Sequence, residues 1–194
     1  MFNEKAKATD VATASLIAGA STDVGAEAQG FYKVQCHDAD GNLKWEESFP
    51  NLVVNVGIKD MNTQYFTGSG YTATWYLGLI TGPGSGNTYA AGDTMSSHSG
   101  WTENTDYSQA NRPACSFGTA TTANPSVISN SGSPATFSIN GTATIAGAFL
   151  TTNNTKGGTT GTLFSASNFQ SPGDRAVVSG DTLTVTYTFN LTAT

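Results

Sequence analysis

Charge is scarce in the second half of this chain. Between residues 113 and 194 the charged residues are only four: Lys156, Asp174, Arg175 and Asp181. The exterior of a free cytosolic enzyme is usually kept soluble by interspersed lysine and glutamate. A protein without them is expected to use its surface for contacts with its own copies or with a larger assembly. A threonine-rich extracellular β-domain would have the same composition, so both interpretations stay open at this point.

Basic residues and long apolar runs are also scarce. The net charge is -6 at pH 7 with two arginines, so the chain lacks the basic surface that DNA or RNA binding requires. No run approaches the roughly 20 apolar residues of a membrane-spanning helix. Residues 11–20 (VATASLIAGA) resemble a weak signal peptide, but Glu4 and Asp10 interrupt the basic region before them. Because the sequence also begins at Met1, we expect no secretory leader. The acidic charge predicts no nucleic-acid partner, and the lack of a long apolar run predicts no membrane partner.

Cysteine occurs only twice, at Cys36 and Cys115. The two thiols could form one disulfide, but without a sign of secretion we expect both to be reduced and buried. Together with His37 and His98 they could also hold a metal. A structural zinc site, however, needs closely paired ligands, and this chain has no such spacing. We therefore expect no metal and no cofactor.

Residues 38–42 (DADGN) begin like a calcium-binding loop, with oxygen ligands at alternate positions. The match ends there, because Gly41 comes too early and Phe49 stands where the loop needs a glutamate. The same residues suit a hairpin turn between strands predicted on either side, since Asp40-Gly41 is a favoured hairpin step. We expect a turn and not a calcium site.

An alternation of apolar and hydroxylated residues is the strongest pattern in the chain. Residues 182–192 (TLTVTYTFNLT) place an apolar side chain at every second position. This period of two predicts a strand with one buried and one hydroxylated face. Further strands are predicted at residues 31–36, 43–49, 73–80, 126–128, 136–145, 146–151 and 163–169.

One helix is predicted over residues 55–66, and Gly68 and Gly70 end it. Residues 81–113 are too long for a simple connector and are predicted to form a functional or interfacial loop.

With these strands and a single helix, the chain is expected to be mainly β: a β-sandwich or a jelly-roll-like barrel with one short helix. We assign residues 1–29 to an N-terminal arm or linker and residues 30–194 to a single β-rich domain.

Residues 93–103 (DTMSSHSGWTE) bring an acid, hydroxyls and an imidazole close together, as a hydrolytic site would require. Closeness in sequence is weak evidence, because the members of a catalytic triad meet in space. A simpler interpretation is that Asp93 caps a helical turn and Trp101 anchors the loop to the sandwich. No glycine-rich phosphate loop follows a strand either. We expect no catalytic residues, and a protein that is not an enzyme.

Three blocks of the chain, taken together, resemble a family of tailed-bacteriophage virion proteins. The blocks are residues 40–45 (DGNLKW) with 51–57 (NLVVNVG), residues 74–80 (TWYLGLI), and residues 91–103 with Tyr107, Ser108 and 112–115 (RPAC). Residues 180–189 (GDTLTVTYTF) are similar to a segment of many phage head and tail proteins. The resemblance covers residues 31–194 and leaves the arm outside it.

The resemblance implies a virion protein that is made in the host cytoplasm and is present in many copies, with no catalytic residue to carry over. We predict a head decoration, or cement, protein on the capsid surface that bridges major capsid subunits. Its partners would then be the major capsid protein and its own copies in a homo-oligomer. The alternative is a tail or head-to-tail component, including a fibre domain that binds host glycans. An enzyme such as a depolymerase is the third class; stacking of sugars on Trp75, Trp101 and Tyr107 would favour a glycan binder.

Five apolar residues are the candidate partner contacts: Phe2, Leu16, Ile17, Trp101 and Tyr107. The arm has few large apolar residues, too few to offset the roughly 1–2 kcal/mol per residue that ordering its backbone costs. We therefore expect the arm to become ordered only against capsid neighbours or sister subunits.

Overall fold

Eleven strands, one α-helix and a short 3-10 turn (Gly84–Gly86) make up the regular structure of the described residues in the computed structural model. The structure describes residues 25–67, 74–170 and 173–193. The helix is α1 (Asn55–Thr67). In chain order the strands are β1 (Ala26–His37), β2 (Leu43–Pro50), β3 (Leu52–Val53), β4 (Tyr76–Thr81), β5 (Glu103–Asn104), β6 (Ser126–Ser129), β7 (Ala135–Ser138), β8 (Ala143–Thr151), β9 (Leu163–Asn168), β10 (Arg175–Val177) and β11 (Thr182–Ala193).

The strands form two antiparallel sheets that pack face to face. Sheet A has the order β2–β1–β11. On the side of β11 that faces away from β1, β7 pairs with the first part of the strand and β6 pairs with its later part. Sheet B has the order β3–β9–β8–β4–β5, and β10 pairs with the start of β8. The predicted β-sandwich is confirmed, and the two sheets do not close into a barrel.

Sheet A has an inner apolar face and an outer polar face, as the alternation in β11 predicts. Tyr32 and Val34 of β1 lie opposite Tyr187 and Val185 of β11, and all four are fully buried. The threonines between the buried residues of β11 are half-buried and face outward. Each large apolar side chain that is fully buried in this way stabilises the fold by about 1.5–3 kcal/mol.

Sheet B is covered on both faces. Within β8, Ile145 and Leu150 face the core between the sheets, whereas Phe149 belongs to a second cluster on the outer face. The residue just before α1 and the long loop cover that outer cluster with Val54, Met95 and Trp101. A strand buried on both faces is expected to be apolar throughout, which explains why residues 145–150 show no alternation.

The sequence analysis placed one strand break wrongly. Residues 136–145 were predicted as one strand, but β7 ends at Ser138 in sheet A and β8 begins at Ala143 in sheet B. The chain crosses between the sheets at Asn140 and Gly141. Apolar residues continue at alternate positions through this crossover, so the pattern did not reveal it.

The start of the first strand also differs from the prediction. Strand β1 begins at Ala26, so residues 26–29, which the sequence analysis assigned to the arm, pair with residues 190–193 of β11. These residues are exposed, so they lack the buried positions from which a period of two could be recognised. The short strands β3, β5 and β10 were missed because two or three residues show no period.

Gly78 of β4 allows Phe149 to lie flat across the sheet. The two residues are cross-strand neighbours, and a Cβ at position 78 would lie 2.2 Å from two atoms of the Phe149 ring. The ring is fully buried, and it packs against Trp101 with 5.1 Å between ring centroids. A side chain at this position would therefore displace part of the outer cluster.

We expect Gly78→Ala to lower the free energy of unfolding by about 1–3 kcal/mol, the usual cost of overpacking a core. Urea denaturation measures the change. Gly132→Ala is the matched control, because a Cβ there meets no atom within 4 Å. Equal stability of the two variants would show that the Phe149 ring is not held against Gly78.

Candidate interaction surface

The aromatic residues proposed as partner contacts in the loop are buried inside this chain. Trp101 is 3% exposed, and its ring stacks on His98 with 3.9 Å between centroids. Tyr107 is fully buried and meets Phe137 edge to face at 5.0 Å. Neither ring is presented to a partner in this structure, because the loop folds back onto the sandwich.

The three candidate contacts in the arm cannot be placed. Phe2, Leu16 and Ile17 lie outside the residues that the structure describes. Their role as partner contacts stays a prediction.

The acid and the imidazole of the suspected hydrolytic site each bond to Trp101. His98 Nδ1 lies 3.1 Å from the Trp101 carbonyl oxygen. Asp93 accepts hydrogen bonds from the Trp101 indole N–H at 3.4 Å and from the Ala90 backbone N–H at 3.1 Å. Asp93 therefore closes a turn back to Ala90 and does not cap a helical turn. Of the simpler interpretation, the helix cap is therefore wrong, whereas the anchoring of the loop by Trp101 agrees with this geometry.

The remaining polar candidates also have local roles. The Asp38 carboxylate accepts backbone N–H bonds from Asp40 at 3.0 Å and Asn42 at 2.8 Å, which closes the β1–β2 hairpin. In the described ranges no group of three or more His, Cys, Asp or Glu side chains is placed to hold a metal ion. No helix in the same ranges is long and apolar enough to cross a membrane.

Both cysteines are free and buried, as predicted. Burial raises the pKa of the Cys115 thiol to about 12. Burial and the nearby Asp181 carboxylate do the same for Cys36. Since the thiolate is the reactive form, neither residue is suited to nucleophilic chemistry in the folded protein.

A buried ion pair, which the sequence analysis did not identify, holds the long loop in place. Arg112 is 2% exposed, and its Nε and Nη2 donate to the two carboxylate oxygens of Glu103 at 2.9 and 2.6 Å. Its remaining donors reach the carbonyl oxygens of Asn153 at 2.9 Å and Gly158 at 2.7 Å. The guanidinium also lies 5.1 Å from the centre of the Phe149 ring. Glu103 and Arg112 stand in a part of the chain with few charged residues. That isolation is the sequence signal that could have pointed to a buried ion pair.

An apolar pocket opens at the end of the sandwich where β1 begins and β11 ends. Its cavity volume is about 170 Å³. The lining residues are all apolar or aromatic and come from both sheets, from α1 and from two connecting segments: Met61, Trp75, Phe117, Ile128, Leu150, Phe164, Tyr187 and Phe189. Sequence periodicity could not reveal this pocket, because its residues come from seven separate parts of the chain.

The surroundings of this pocket expose further apolar surface. Residues 26–29 and 190–193 extend beyond it as an overhang about 13 Å long. On the other side of β11, Asn190 and Leu191 pair with β6, and the Asn124 side chain bonds to the Ala193 backbone. Leu191 on the overhang is 40% exposed, and Tyr65 and Phe66 at the end of α1 are 82% and 78% exposed. Tyr65 follows Met61 by one helical turn, so it lies on the face of α1 that borders the pocket. Exposed apolar side chains next to an apolar pocket make this end of the sandwich a candidate interaction site.

The outer face of sheet A offers a different kind of surface. Strands β6, β7 and β11 contain no charged residue, and Thr184 and Thr186 are half-buried at its centre. The Thr188 hydroxyl donates to the Ser129 hydroxyl at 3.0 Å, and this bond links neighbouring strands. Charge appears only on the β1–β2 side, where Lys33 and Glu46 pair at 3.0 Å.

The blocks that carry the phage resemblance pack against one another. The Asn55 backbone N–H donates to the Ala91 carbonyl at 2.8 Å, and the Cys115 N–H donates to the Trp75 carbonyl at 2.7 Å. These blocks therefore specify how α1, β4 and the long loop fit together. Comparison of the chain with family models, with curated proteins and with solved structures finds no match.

We expect Arg112→Met to lower the free energy of unfolding by about 3–5 kcal/mol, because it leaves the Glu103 carboxylate buried without its partner. Thermal or urea denaturation measures the loss. Lys33→Met is the control: it removes the exposed Lys33–Glu46 pair, which we expect to contribute less than about 1 kcal/mol. A loss for Arg112→Met no larger than that of the control would contradict the role of the ion pair as the anchor of the loop.

Proposed function

We propose that this protein is a structural component of a tailed-bacteriophage virion, and that it decorates the head by bridging neighbouring major capsid subunits. The residue blocks that resemble phage virion proteins support the general assignment. The observation that carries the decoration role is the uncharged, hydroxylated outer face of sheet A. The protein has no catalytic part in this proposal.

An uncharged hydroxylated face suits broad contact with another protein. Removing a charged side chain from water is costly unless it finds a partner of opposite charge. Hydroxyl groups need only one hydrogen-bond partner and can either donate or accept. The face formed by β6, β7 and β11 can therefore be covered by many different backbone and side-chain groups without a large desolvation penalty.

The edges of sheet A are protected, so the contact is expected to use the face. The β6 edge is covered by residues 118–121, where Gly118 N–H donates to the Ser129 carbonyl at 2.9 Å. The β7 edge is covered by Gln109, whose side chain accepts from the Ser138 N–H at 3.1 Å. Strand β2 has no strand on its free side among the described strands, but it carries the charged residues Lys44 and Glu46. Such charges discourage the pairing of edges between proteins.

The packing of the aromatic residues supports the head role over the glycan-binding alternative. Trp101 and Tyr107 are buried, and the ring of Trp75 packs edge to face on Phe164 at 5.3 Å. A sugar-binding platform needs exposed rings. Two of the three aromatic residues that favoured a fibre domain are therefore buried within the chain, and the third, Trp75, is half-buried at the wall of the apolar pocket.

The copy number in purified virions tests the head role. We expect a stoichiometry comparable with that of the major capsid protein, measured by band quantitation on a denaturing gel. Separation of heads from tails before the gel assigns the location. Recovery of a few copies with the tails would favour the tail alternative, and absence from the particle would reject both.

The outer face is tested by placing a charge at its centre. We expect Thr186→Lys to weaken retention on heads by about tenfold or more, because the ammonium group would be covered without a partner. Retention is measured as the protein left on heads after heating or exposure to low salt. Ser131→Lys adds the same charge at an exposed turn and should be retained like the parent. The melting temperatures of both purified variants must match the parent, and equal retention of the two would rule out this face as the contact.

A further inference from the structure

We propose that the apolar pocket of one copy binds the N-terminal segment of a neighbouring copy, residues 1–24, through Leu16 and Ile17. This inference rests on the proposed function, because copies that decorate a head lie side by side. It adds a specific contact between those copies, with a receptor on one and a ligand on the next.

The pocket selects an apolar ligand of modest size. All of its lining side chains are apolar or aromatic, and its volume is about 170 Å³. A dry apolar cavity of about 150 Å³ binds a benzene molecule. The pocket therefore has room for one branched aliphatic side chain, and it lacks the polar groups that would orient a sugar or an ion.

Residues 1–24 contain a stretch of matching chemistry. Leu16 and Ile17 are the only adjacent branched aliphatic residues in this segment. They lie in residues 11–22 (VATASLIAGAST), which carry no charge, whereas Glu4, Lys5, Lys7 and Asp10 precede them. An uncharged stretch can enter an apolar pocket without the cost of desolvating an ion.

The direction of β1 favours a neighbouring copy as the receptor. Gly30 lies opposite Phe189, which lines the pocket, and Ala26 lies opposite Ala193 at the tip of the overhang. Strand β1 therefore runs from the tip toward the pocket, and the chain before Ala26 starts about 13 Å beyond the pocket. To enter its own pocket the segment would have to reverse around the tip.

The spacing is long enough to reach a neighbour. Ala26 lies nine positions after Ile17, and an extended chain of nine residue steps spans about 30 Å. Docking there would also cover Leu191 and the exposed end of α1. Each copy would donate one segment and accept one, a head-to-tail contact that continues from copy to copy.

Disulfide trapping between full-length chains tests the contact directly. Leu16→Cys and Ile128→Cys are made as separate variants, mixed and mildly oxidised. Ile128 is half-buried at the pocket wall, and the native thiols are buried. We expect a mixed dimer joined through residues 16 and 128, identified by peptide mass. Leu16→Cys mixed with Ser131→Cys is the control, since residue 131 is exposed just beyond β6.

Three results would overturn the proposal. One is cross-linking to residue 131 as fast as to residue 128. Another is the absence of any mixed dimer at high protein concentration. The third is an intramolecular disulfide in the double variant Leu16→Cys/Ile128→Cys at low concentration, which would show that the segment occupies its own pocket.

Self-association provides a second measurement. Sedimentation equilibrium of Ile17→Asp should show association weakened by about tenfold or more, because a carboxylate cannot enter the apolar pocket unpaired. Ala8→Asp places the same charge outside the uncharged stretch and should associate like the parent. Equal association of the two variants would contradict the proposal.

The trapping and association experiments use purified protein, so they can succeed even if the protein is absent from phage heads. The virion measurements can likewise succeed even if the trapping and association experiments fail.

Discussion

The buried ion pair between Arg112 and Glu103 is the interaction on which the second layer of the molecule depends. It joins β5 to the end of the long loop and, through the Asn153 and Gly158 carbonyls, to the connection between β8 and β9. A buried guanidinium is tolerated only when its donors are satisfied, so these segments must all be in place together. With them in place, Trp101 and Met95 cover the outer face of sheet B.

This coverage decides which surfaces remain for partners. Sheet B is buried on both faces, and the long loop that looked interfacial in the sequence serves as part of the core. Among the described residues, two exposed surfaces that differ in chemistry are the hydroxylated face of sheet A and the apolar end beside the overhang. We propose that the first contacts the capsid and that the second receives the segment of the next copy.

The sequence predicted the elements more successfully than their arrangement. The alternation in β11 was read correctly, because that strand has one buried and one exposed face. The helix from Asn55 onward was also predicted, although Gly57 is its one buried residue and Tyr65 is exposed. Residues 136–145 were misread because the apolar alternation runs on through a change of sheet. Trp101 and Tyr107 were assigned to a partner surface because aromatic residues in a long polar loop look the same in sequence whether they point outward or inward.

By itself the sequence determined the mainly β class, the buried face of β11, the reduced state expected of two unpaired thiols and the uncharged character of half of sheet A. These properties depend on local periodicity and on composition, and both can be read from a single stretch of the chain. Only the tertiary structure decided that the loop closes over sheet B and that Arg112 is buried. It also decided that eight residues from distant segments form one apolar pocket. Such features depend on contacts between segments that are distant in the sequence, and no local pattern in the chain specifies those contacts.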